Sequence, residues 1–247
     1  MKKRSFFGRL TLSIVSLLVS LIMLVTSSYA WFSMNRLVTA TGLEVTVDSN
    51  SVYLLIGTVN DINTIQTAGT TTVDFGMTTA QSKVFPAAHE TIANATAALT
   101  PANWYYQIAD VPSASASTKA KNYLTNENFD KYVIHKVCYI TVTPGSNPAE
   151  NLVVDGVTIT SNSTATGAAN ATTIAPAKIV IASSTAVVEL DSVTTSSTTV
   201  LAATITDQTL VKIDVFLYYD GNNISVYTNN IANLDGAVVD ISFAVDQ

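Results

Sequence analysis

The chain is poor in the residues that usually carry chemistry. It has one cysteine, Cys138, and two histidines, His89 and His135, among 247 residues. A lone cysteine excludes an internal disulfide, so the fold must rest on packing. Within YVIHKVCYITV this cysteine reads as a small buried hydrophobe. His135 and Cys138 stand three apart in an alternating run, which puts them on opposite faces and rules them out as base and nucleophile. PAAHET around His89 lacks the second histidine of a zinc-protease helix, and there is no GxSxG, no glycine-rich phosphate loop and no Cys-x-x-Cys pair. The expected reading is a protein that is not an enzyme and has no cofactor and no metal. Asp220, Asn222 and Asn223 offer oxygen atoms, but a calcium loop needs more carboxylates at fixed spacing, and a hairpin already accounts for them.

Charge is scarce as well. Charged residues make up 12% of the chain, about half the usual quarter, while threonine, serine, alanine, asparagine and valine are abundant. A surface of hydroxyls and amides suits a secreted, protease-exposed β protein. Four of the twelve basic residues (Lys2, Lys3, Arg4, Arg9) fall within the first thirty positions, leaving eight against eighteen acids, a net charge of −10. That acidity argues against a nucleic-acid partner.

The first long apolar run has a recognisable layout. MKKR and Arg9 form a basic segment, and no charge follows until Arg36. Ser28 and Ala30 stand three and one residues before Trp31, the small-x-small pattern of a signal-peptidase site. The reading is export with cleavage between Ala30 and Trp31. An uncleaved anchor is the alternative, because about 20 apolar residues span a bilayer. In both cases contact with the membrane is through this N-terminal helix alone, and the basic residues keep its start inside.

After Trp31 the dominant signal is alternation. Leu43, Val45 and Val47 point one way and Glu44, Thr46 and Asp48 the other, as a half-buried strand requires. VYLLIG, Tyr132 to Thr143, Val211 to Tyr219 and Ala237 to Val245 repeat the pattern. Asp220-Gly221, Asp235-Gly236 and Pro144-Gly145 punctuate these runs with turn chemistry. Asp155-Gly156, inside NLVVDGVTIT, reads either as a hairpin or as a bulge in one long strand. Short helical turns are expected near Thr125 to Lys131 and Asn229 to Leu234, and surface loops at Ala109 to Lys121 and Ser161 to Thr173. Asn94, Asn162, Asn170 and Asn223 each open an N-x-S/T sequon, which matters only in a glycosylating host. The fold class is therefore all-β: a jelly-roll-like antiparallel β-sandwich with short helical turns, behind an N-terminal signal or transmembrane helix. Residues 1–30 are the leader, and 31–247 form a single domain that begins with an extended segment, 31–48.

SSYAWFSMNRLVTATGLEVTVDS resembles the N-termini of Gram-positive secreted proteins of the TasA/camelysin group, in which an aromatic-rich segment straddles the cut made by a dedicated SipW-type signal peptidase. Ala30-Trp31-Phe32 is the matching segment here. FLYYDGNNISVYTNNIANLDGAVVDISFAV is similar to the closing pattern of clostridial-type surface proteins with the same leader. The likeness is thin between Gly57 and Asn128, the leader is more hydrophobic than the TasA type, and no metal-protease motif supports the activity once attached to camelysin. The resemblance implies a jelly-roll sandwich and a structural role as a subunit of extracellular matrix fibres, with the SipW-type peptidase and further copies of the chain as partners. It also implies that Trp31, Phe32, Leu43, Val45 and Val47 form an assembly segment that can complete a neighbour's sheet. The second reading is a cell-surface β-sandwich binding module for carbohydrate or protein, anchored by an uncleaved helix, with Trp104, Tyr105 and Tyr106 as an aromatic platform.

Overall fold

Two-residue alternation dictates most of the structure. The computed structural model describes residues 44–48, 54–74, 85–106, 121–161, 177–222 and 237–246, all within the unit Thr39–Gln247. In chain order the strands are β1 (Glu44–Asp48), β2 (Leu54–Gly57), β3 (Thr72–Asp74), β4 (Ala88–His89), β5 (Trp104–Tyr106), β6 (Asn122–Tyr123), β7 (Ile134–Val142), β8 (Ala149–Ser161), β9 (Ala177–Ala182), β10 (Val187–Asp191), β11 (Ser197–Ile205), β12 (Val211–Tyr219) and β13 (Ala237–Asp246). Two short helices join them, α1 (Ile62–Ala68) and α2 (Ala95–Ala98).

The strands form two five-stranded sheets and one small sheet. The first runs β11-β8-β13-β1-β3, the second β10-β9-β12-β7-β2, and the third β4-β5-β6. All pairings between these neighbours are antiparallel except β1 with β13, which is parallel. The inward residues of both large sheets, among them Ile56, Cys138, Leu152, Ile179, Ile213, Val215, Ile241 and Phe243, make one apolar core. The alternation read from the sequence is therefore the alternation of a two-layer sandwich.

The other face of the second sheet is covered too. Val180 and Ala182 of β9 and Phe216 and Tyr218 of β12 share a second core with Ala87, Ile92, Ala98, Trp104, Leu124 and Phe129. Residues 85–106 and 121–133, including the small sheet, thus form a third layer. The cover explains why AKIVIA of β9 is buried almost throughout, as strands packed on both faces are. This layer goes beyond the single sandwich expected from the sequence, because its strands are only two or three residues long and too short to show a period.

Local chemistry sets the remaining geometry. The Asp61 side chain caps α1 by accepting from the Asn63 amide, and Gly69, at φ 61°, closes it with its N–H on the Ile65 carbonyl. Thr70 then covers the outer edge of β2: its carbonyl accepts the Ile56 amide at 2.9 Å and its hydroxyl donates to the Ile56 carbonyl at 2.8 Å. Asp155-Gly156 is a bulge rather than a hairpin. Ser242 pairs with Gly156 and Phe243 with Val154, which leaves Asp155 over. The pairing shifts again between Ala244 and Asp246, beside Asn151 at φ 52°. A 3₁₀ turn at Phe129–Lys131 lies within the helical turn expected from Thr125 onward. The turn expected at Asn229 to Leu234 lies outside the described residues.

Candidate functional site

The assembly segment and the export junction are only partly within view. Ser28, Ala30, Trp31, Phe32 and Leu43 lie outside the described residues. Val45 and Val47 belong to β1, in register with Ile241 and Phe243 on one side, and Val45 with Val73 on the other. β1 is thus inserted between β13 and β3, five residues long, and it brings the first described strand beside the last.

The three adjacent aromatics of β5 have separate fates. Trp104 is completely buried; its indole N–H donates to the Ala98 carbonyl at 2.8 Å, and its ring meets His89, Phe129, Phe216 and Tyr218. It is the anchor of the covering layer and presents no face to solvent. Tyr105 is also buried, with the Lys121 ammonium 4.4 Å above its ring. Tyr106 is 36% exposed and stacks on Tyr132 at 5.4 Å, and Phe85 also meets Tyr132, at 5.7 Å. Alternation turns Tyr105 away from Trp104 and Tyr106, and of the three only Tyr106 is exposed.

Each histidine sits in a polar cluster on the covered face of the second sheet. His135, on β7, lies flat against Phe216 at 4.6 Å and directs Nε2 to Asp214 Oδ1 at 2.8 Å. Lys212 Nζ reaches the same oxygen at 2.9 Å. Asp214 is buried, and its Oδ2 has no hydrogen-bond partner among the described residues. Burial pushes its carboxyl upward, but the bonds from His135 and Lys212 outweigh that and hold it below the usual carboxylate range. Cys138 faces the opposite way, into the sandwich core, where burial and the Asp214 charge push its thiol up.

The second cluster gathers four elements. His89, on β4, stands edge-on to Trp104 at 4.9 Å and Tyr218 at 5.5 Å. Its Nδ1 lies 2.7 Å from the Glu90 carbonyl; its Nε2 lies 3.1 Å from Glu189 Oε2 on β10 and 3.1 Å from the Tyr218 hydroxyl on β12. Lys178, on β9, reaches Glu189 at 2.7 Å and Asp220 at 3.1 Å. The hydrogen bond from His89 does most to lower the Glu189 carboxyl, with Lys178 adding to it against burial, to about 2. Lys178, Glu189, Asp214 and Tyr218 were not singled out from the sequence, and Asp220 was weighed only as an oxygen donor for calcium. The available signal was charge inside largely apolar strands: Lys178 in AKIVIA, Glu189 in VVELD and Asp214 in VKIDVFLYY.

Among the described residues neither cluster sets a serine, threonine or cysteine hydroxyl or thiol against its histidine, and no group of three His, Cys, Asp or Glu side chains could hold a metal ion. What the geometry can do is fasten layers together with charged hydrogen bonds. No family model, curated protein or solved structure matches the chain.

Proposed function

We propose that this chain is a non-catalytic, exported structural protein, a subunit of an extracellular matrix or surface fibre of the TasA/camelysin type that assembles by β-strand addition. The first thirty residues act as a signal helix read by a SipW-type peptidase, and the mature chain begins at Trp31 and folds as a jelly-roll sandwich. The observation that carries this reading is the place of β1. It is the one strand paired in parallel among the described pairings, and without it the edge of β13 stands open beside β3. An open edge presents amides and carbonyls that accept a strand from another chain.

The donor is the segment from Trp31 to Val47 of a second copy. Only residues 49–53 separate β1 from β2, a span of at most about 18 Å, so subunits that exchange this segment abut directly. Such head-to-tail contacts do not close on themselves, and they propagate as filaments. Electron microscopy of the mature chain beginning at Trp31 should show filaments, and a chain beginning at residue 49 should remain monomeric. Monodisperse mature protein at high concentration, unaffected by the truncation, would sink the proposal.

The binding-module reading keeps one observation in its favour. Tyr123 and Phe85 are each 50% exposed; Tyr123 meets Tyr105, and Phe85 meets Tyr132, on which Tyr106 stacks. Specific retention by a glycan array, lost in Tyr106→Ala, would support it over the fibre.

A further inference from the structure

The acceptors around His89 suit a ring protonated on both nitrogens. A backbone carbonyl only accepts hydrogen bonds, so Nδ1, at 2.7 Å from the Glu90 oxygen, carries a proton. A carboxylate also only accepts, so Nε2, at 3.1 Å from Glu189 Oε2, carries the other. Both bonds together are those an imidazolium makes. The Tyr218 hydroxyl donates to Glu189 Oε1 at 3.3 Å and completes the set.

Among the described residues, the titratable groups around this ring come from several elements. Glu189 comes from β10, Lys178 from β9, Tyr218 from β12, Asp220 from the turn after it, and Glu90 follows His89 itself and is paired with Lys121 at 2.7 Å. With His89 charged, the two cations His89 and Lys178 balance the two anions Glu189 and Asp220. Once His89 loses its proton, Nε2 and Glu189 Oε2 are two acceptors 3.1 Å apart, and the cluster keeps an uncompensated negative charge. The neutral ring can recover a partner only if the Tyr218 hydroxyl turns from Glu189 to Nε2.

We infer that His89 is a pH-dependent latch, which holds the covering layer against edge strand β10 while its imidazole is protonated and loosens it on deprotonation. The latch has something to act on. β4 is only two residues long, and β10 is the edge of the second sheet. Burial pulls the His89 pKa down, but the bonds to Glu189 and Glu90 and the Glu189 charge more than reverse this, so it lies above the ordinary histidine value. Stability from a raised pKa is fully present below the unfolded value, about 6.5, and is lost as pH rises through the folded one.

The test is an NMR titration of the His89 ring in the full exported chain, alongside Glu189→Gln, which keeps the shape of the side chain and removes its charge. The wild-type midpoint should lie above about 6.5 and that of the variant below it. Protection factors of the β4 and β5 amides should fall by up to about tenfold per pH unit between those limits in the wild type, and should stay level in the variant. A wild-type midpoint at or below the ordinary value, or protection that follows the same course in both proteins, overturns the latch. Because the wild-type titration decides alone, poor folding of the variant does not rescue the idea.

Discussion

A single carboxylate, Asp214, shows how this fold handles charge. It lies inside a strand whose other residues are almost all buried, and a buried charge is tolerated only when paired. His135 and Lys212 both bond to Oδ1. Replacing it with asparagine keeps the volume and removes the charge. Asp214→Asn should lower stability at neutral pH by about 1–3 kcal/mol, read from urea unfolding. The pH dependence follows from the direction of the shift. A carboxyl held below its usual range contributes stability above the unfolded value of about 3.9, and this is lost as pH falls through the folded value. The variant should therefore lose less stability than the wild type between neutral pH and pH 3. An identical acid response in the two proteins would show that the pair contributes nothing.

Among the elements, α1 and β2 are joined by a contact that admits no side chain. A Cβ at Gly57 would lie 2.6 Å from Ile65 Cγ1, well inside van der Waals contact, and Ile65 is the residue that α1 buries. Overpacking of this kind costs about 1–3 kcal/mol, so Gly57→Ala should be destabilising by that amount. Ile65→Ala removes the obstructing atoms and opens a cavity, at about 2–5 kcal/mol by itself. In that background the Gly57→Ala cost should nearly vanish, and a double-mutant cycle measured by chemical unfolding reads the coupling directly. Simple additivity would mean that the helix shifts freely over the strand. A close approach of another kind marks β8, where a Cβ at Gly156 would lie 2.8 Å from Ser242 Oγ, next to the bulge at Asp155.

Across the molecule, the second sheet belongs to two cores at once. Its inward residues close the sandwich, while Phe216 and Tyr218 support the cover through Trp104. Since both cores rest on the same strands, the cover and the sandwich should unfold together. Trp104→Ala removes the largest side chain of the second core and its bond to the Ala98 carbonyl, a loss of about 3–5 kcal/mol. Thermal unfolding followed by circular dichroism and by tyrosine fluorescence should give one coincident transition in the wild type, shifted downward in the variant. Separate transitions in the wild type would make the cover an independent unit. The same architecture leaves β1 as the exception, held at the seam by backbone pairing between strands from opposite ends of the chain.

The sequence by itself determined the β character, the limits of β12 and nearly those of β7 and β13, and the opposite facing of His135 and Cys138. Each of these depends on a two-residue period or on turn residues, which are local. It left Asp155-Gly156 open between hairpin and bulge, because that choice depends on what β13 places opposite, Ser242 and Phe243. The covering layer, the burial of Trp104, and the meeting of His89 with Lys178, Glu189 and Tyr218 were decided by tertiary structure alone. Those groups lie as far as 129 positions apart in the chain, and it takes the strand order β10-β9-β12 together with the covering layer packed on it to bring them within hydrogen-bonding distance.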